Sequence, residues 1–74
     1  MSAQHEFYLA RAAEARADAD TATLDNVRDR CLRSEAAWMS MAARAERGDR
    51  MREKLIGEKA AAVRADQALL QTQD

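Results

Sequence analysis

From Tyr8 onward, small or apolar residues recur as Ala12, Ala15, Ala19 and Ala22, in alternating steps of four and three. That spacing is a helical seam. After its first member the seam is alanine throughout, so a partner helix is expected closer than the usual spacing of about 8–10 Å, with Phe7 and Tyr8 as bulky plugs at one end. Ser2 is placed to cap this helix. Asp20, Thr21, Thr23, Asp25 and Asn26 then crowd together. Their side chains compete for backbone hydrogen bonds and favour turns and caps. The pattern predicts one helix over about 3–20 and a second from about 24. Thr23 is the expected N-cap of the second, Ala22 and Val27 form a hydrophobic staple, and Asp25 stands in the first turn, where the helix dipole favours an anion.

The second segment carries the clearest repeat: Leu24, Val27, Cys31, Ser34, Trp38, Met41, Ala45 and Gly48 advance by alternating threes and fours. Leu32, Met39 and Ala42 widen the stripe, as in a helix that packs against more than one neighbour. Asp29 to Arg33 and Glu46 to Arg50 are spaced as i,i+4 pairs with the acid first, each worth a few tenths of a kcal/mol. Continued past Gly48, the repeat would place Arg52, Lys59 and Asp66 in the seam, whereas a shift by one residue collects Ile56, Ala60, Val63, Gln67 and Leu70. The simplest reading ends the second helix near 47, with Gly48 in the left-handed position that glycine tolerates, and starts a third helix over about 49–70 capped by Asp49. A continuous helix is the rival reading. Gly57 inside the third segment costs about 1 kcal/mol relative to alanine.

Composition restricts the class further. The 74 residues include no proline, two glycines and 18 alanines, which excludes a β-sandwich or a Rossmann domain and leaves an all-α chain. Only 17 of the 35 hydrophobic residues are larger than alanine. A single core of this size seldom supplies more than roughly 3–5 kcal/mol without a staple, and self-association is the expected one. Basic and acidic residues number 12 and 13, so repulsion does not oppose folding. One cysteine permits no internal disulfide, and neither a signal peptide nor a membrane span is apparent, so the expected location is cytoplasmic.

Candidate chemistry is sparse. His5, the single histidine, reads as a solvated terminal residue, because a zinc or iron site needs three or four ordered ligands. Cys31 lies on the seam and reads as a small buried hydrophobe; the sharper alternative is a redox-sensitive thiol. Trp38, with Met39 and Met41, forms the largest apolar cluster and reads as core, or as a binding hot spot if exposed. Arginine outnumbers lysine ten to two. Arg30, Arg33, Arg44 and Arg47 share one helical face, a possible nucleic-acid surface. Between Asp25 and Lys54, however, eight basic residues meet six acidic ones, and no RNA-binding signature accompanies them. No phosphate loop, dinucleotide fingerprint, HExxH or CxxC is present, so neither an enzyme nor a cofactor is expected.

Phe7-Tyr8, Arg11-Ala12, Val27-Arg28, Leu32, Ala36-Ala37-Trp38, Met41-Ala42 and Arg44-Ala45 give the chain a resemblance over about its first two-thirds. It resembles short, uncharacterised alphaproteobacterial proteins that share an aromatic pair, an Arg-Ala step, a Thr-containing turn and a VRxxHLxxAxxW/YxxLA second helix. Cys31 stands where that group commonly has histidine. The resemblance implies a helical hairpin in the bacterial cytoplasm and no particular activity.

These observations give one expectation: a single small helical domain, an antiparallel hairpin plus a third C-terminal helix, assembled as an oligomeric bundle. Its expected role is a noncatalytic protein-protein interaction or scaffold module. The partner is a second copy, as dimer or tetramer, or another helical protein, met through Tyr8, Val27, Cys31, Trp38, Met41, Ile56, Val63 and Leu70. The alternative is a small nucleic-acid-associated regulator that uses the arginine face.

Overall fold

The computed structural model describes residues 2–72 and consists of two helices, α1 (Ala3–Thr21) and α2 (Asp25–Thr72). Nineteen residues in α1 and 48 in α2 leave only the cap and a short connection outside helix. The two run antiparallel as a hairpin, but α2 is more than twice the length of α1. The molecule is therefore a rod, 78 Å long and 13 by 11 Å across, close to the roughly 72 Å that 48 helical residues span.

Ser2 caps α1 as expected. Its backbone is extended, and its hydroxyl accepts from the His5 N–H at 3.1 Å. Glu6 occupies the first turn, on the favourable side of the dipole. At the other end Ala22 leaves the helix with φ −68° and ψ 134°. The Arg28 guanidinium reaches back to donate to the Ala22 carbonyl at 3.0 Å and pairs with Asp25 at 3.3 Å. Because Arg28 N–H donates to the Leu24 carbonyl, the cap position of α2 is Leu24 rather than the expected Thr23. Asp25 does stand in the first turn.

The third helix over 49–70 is corrected: α2 passes through Gly48 and Gly57 without interruption, and no glycine has a positive φ. Two physical reasons account for this. Strong helix formers flank both glycines and proline is absent, so a local cost of about 1 kcal/mol is not enough to end the helix. Ion pairs from Glu46 to Arg50 and from Asp49 to Arg52 also span the Gly48 turn. The expected Asp29–Arg33 pair is not among the ion pairs of the described residues, whereas Glu46–Arg50 is.

The core is small. Ala12, Ala15, Ala19 and Ala42 are buried, with Ala19 at 1% exposure, and no large side chain is fully enclosed. Tyr8, Ala22, Val27, Cys31, Trp38, Met41, Ala45 and Gly48 are half-buried around them. Leu24 and Ser34, expected in the seam, are exposed instead, while Ala42, treated only as widening the stripe, is the buried centre of α2. Burying alanine methyls stabilises far less than burying leucine-sized groups. The hairpin thus buries an alanine strip in place of large side chains.

Candidate functional site

The open end of the hairpin is closed by polar contacts. Ser2 N–H donates to Asp49 Oδ2 at 3.1 Å, and Arg52 pairs with the same carboxylate. Asp49 was the expected cap of a third helix; it instead sits at the N-terminus of α1 while remaining inside α2. Hydrogen bonds from Ser2, aided by the charge of Arg52 and opposed by partial desolvation, hold its carboxyl below its ordinary value. His5 lies in the interface one turn further along α1 and is 5% exposed, with Nδ1 buried and unpartnered. This corrects the solvated-terminus reading. At seven residues before Ala12 and three before Tyr8, position 5 extends the seam backward, a signal that His5's polarity obscured.

Aromatic residues form the bulkiest contact between the helices. Trp38 meets Phe7 edge-on at 6.0 Å between centroids and Tyr8 at the same distance with the rings tilted by 32°. The Arg11 guanidinium lies 5.2 Å from the Trp38 ring centre, within cation–π range. Trp38 is thus occupied by its own chain, which favours core packing over a free hot spot. Arg16 adds a cross-helix pair to Glu35 at 3.4 Å. Beside the cluster, Tyr8, Met41, Arg44, Gly48 and Arg52 line an open groove of about 310 Å³. Among the described residues no three His, Cys, Asp or Glu side chains gather at one place.

Beyond Asp49, α2 is uncovered over its described length. Every described residue from Arg50 to Thr72 is exposed, a length of roughly 34 Å. It carries Met51, Leu55, Ile56, Val63, Leu69 and Leu70 at 47–71% exposure. At 100° per residue, Val27, Cys31, Trp38, Ala42, Ala45 and Asp49 fall in the same arc of about 80° as Ile56, Ala60, Val63, Gln67 and Leu70. The one-residue slip in the sequence repeat is therefore not a break. The buried line follows Ala42 and Asp49 instead of Met41 and Gly48, and this 3.6-residue line runs straight into the distal stripe.

The structure therefore divides the sequence-predicted interface residues. Tyr8, Val27, Cys31, Trp38 and Met41 pack between α1 and α2, whereas Ile56, Val63 and Leu70 lie on the uncovered continuation of the same face. Arg30, Arg33, Arg44 and Arg47 are all exposed on α2, centred about 130° around the helix from that stripe. None of these four makes an ion pair among the described residues.

Fold and surface together define a class: an all-helical hairpin whose long arm projects with one apolar face bare. Among the described residues no helix is long and apolar enough to cross a membrane. No protein-family model, curated protein or solved structure matches the chain, and its functional reading rests on its own residues.

Proposed function

We propose that this protein is a noncatalytic helical interaction or scaffold module of the bacterial cytoplasm that self-associates through the projecting half of α2. The observation that carries this reading is the uncovered stripe of Ile56, Val63 and Leu70, in phase with the face that α1 buries. A bare apolar stripe on a rod with an alanine core is more costly to leave in water than to pair, because pairing removes apolar area from solvent without a new fold. The same small core explains why assembly is favoured: the hairpin has little stability of its own to spare.

Mass in solution by light scattering at two concentrations, with and without reductant, tests the reading. A dimer or tetramer whose melting temperature rises with concentration supports it. A monomer with an unchanged melt across a hundredfold dilution overturns it. Equal mass in both redox states removes a disulfide through Cys31 as the cause of assembly.

The exposed, unpaired Arg30, Arg33, Arg44 and Arg47 support a second reading, a nucleic-acid-associated regulator. Its signature is retention on RNA or DNA that weakens steeply with salt. No retention at low salt ends that reading.

A further inference from the structure

The three large residues of the distal stripe are evenly spaced about Val63. Ile56 and Leu70 stand seven residues to either side of it, while Ala60 and Gln67 lie three before and four after. Reversed about Val63, the stripe keeps Ile56, Val63 and Leu70 in register and displaces Ala60 and Gln67 by one residue each. Lys59 and Asp66 both lie on one flank, about 60–80° from the stripe's centre. When two helices pair antiparallel, like flanks face each other.

From this we infer that two copies pair antiparallel through residues 54–72 of α2, with Val63 opposite itself, Ile56 opposite Leu70, and Lys59 opposite Asp66 of the second copy. The inference rests on the self-association proposed above and adds orientation and register to it. Three observations select a second copy in this orientation.

The first is continuity with the intramolecular interface. α1 lies antiparallel on the stripe of α2 up to Asp49, where Ser2 is bonded. In the register centred on Val63, Thr72 of the second copy lies level with Lys54. That is five residues beyond Asp49, or roughly 7.5 Å, so it clears the start of α1. The paired stretch is then 19 residues long, the length of α1 itself.

The second is charge complementarity. The antiparallel register brings Lys59 and Asp66 within one residue of level, twice by two-fold symmetry, against a single approach of Arg64 to its own copy on the other flank. A parallel pairing would instead face opposite flanks and set Lys59 beside Arg64 of the second copy, a like charge. The third is the dipole. The second copy's α2 would run in the same direction as α1 and point its C-terminal end at the N-terminus of α1, an attractive head-to-tail alignment.

The test uses the full chain with Cys31→Ser and single cysteines introduced as Val63→Cys, Ile56→Cys or Leu70→Cys. Mass is measured on the reduced proteins before oxidation. Antiparallel pairing predicts that V63C cross-links to itself, that I56C and L70C each fail to do so alone, and that an equimolar mixture of the two yields a cross-linked heterodimer. These outcomes follow because a disulfide requires Cα atoms about 4.4–6.8 Å apart. Efficient self-cross-linking of I56C and L70C would mean parallel pairing and overturn the inference. So would a dimer by mass in which V63C stays reduced, which leaves self-association standing without this interface. A monomeric mass for the reduced Cys31→Ser parent overturns the self-association reading itself. Should V63C fold poorly by circular dichroism, the I56C and L70C mixture decides by itself: a cross-linked heterodimer is expected, and a dimer by mass without one overturns the inference.

Discussion

The backbone N–H of Ser2 donates to Oδ2 of Asp49 at 3.1 Å across 47 residues of sequence, joining the first turn of α1 to the midpoint of α2. It marks the level at which intramolecular packing stops and the projecting arm begins. Because the carboxyl is held below its ordinary value, its contribution to stability is full above the unfolded value of about 4 and is lost as pH falls through the lower folded value. Asp49→Asn is therefore expected to lower the melting temperature at pH 7. The gap between the two proteins should close on acidification below about pH 4. A gap that persists at pH 2 would remove the carboxylate as its cause.

His5 offers a contrasting case. A buried polar atom without a partner costs about 1–3 kcal/mol, and Nδ1 of His5 is such an atom. His5→Leu keeps the apolar contact and removes the orphan, so its melting temperature is expected to equal or exceed that of the parent. A fall of several degrees would show that the imidazole makes a bond that holds the helices together.

Trp38 is the largest group shared by the two helices, in contact with Phe7, Tyr8 and Arg11. Trp38→Ala is expected to destabilise the hairpin by about 2 kcal/mol, below the roughly 3–5 of a fully enclosed aromatic because the ring is only half-buried. Urea unfolding followed by circular dichroism measures it. Retained stability would show that the alanine strip alone holds α1 in place.

The glycines of α2 distinguish a continuous helix from two helices. A Cβ at Gly48 would meet only the end of Arg52 at 3.6 Å, and one at Gly57 would meet nothing within 4 Å. Gly48→Ala and Gly57→Ala should each stabilise the protein by about 0.5–1 kcal/mol through helix propensity. Were Gly48 a left-handed terminus, alanine there would destabilise instead, so the sign of the change in melting temperature decides the matter.

Charge reversal probes the inferred register. Lys59→Glu should weaken dimerisation by about three- to tenfold, the range for two exposed ion pairs lost, and adding Asp66→Lys should restore it. Sedimentation equilibrium at low salt reads both. Failure of the second change to rescue the first would place the two residues apart.

Several features were legible from residue types alone. Absence of proline and abundance of alanine made the chain helical, the Asp/Thr/Asn cluster ended α1, Ser2 capped it, and the three-four spacing identified Ala12, Ala15, Ala19, Val27, Cys31 and Trp38 as the inner face. These are short-range effects of propensity, capping and periodicity. Whether Gly48 ended a helix was not legible, because a glycine's modest local cost competes with the helical tendency of its neighbours and with the Glu46–Arg50 and Asp49–Arg52 pairs that only form once the turn continues. The burial of His5 was equally hidden, since a polar side chain enters an interface only when the partner helix arrives at that level. Sequence alone thus determined the helical class and the stripe. Tertiary structure decided where the stripe is covered, because α1 extends back only as far as Asp49 and leaves the rest of α2 exposed.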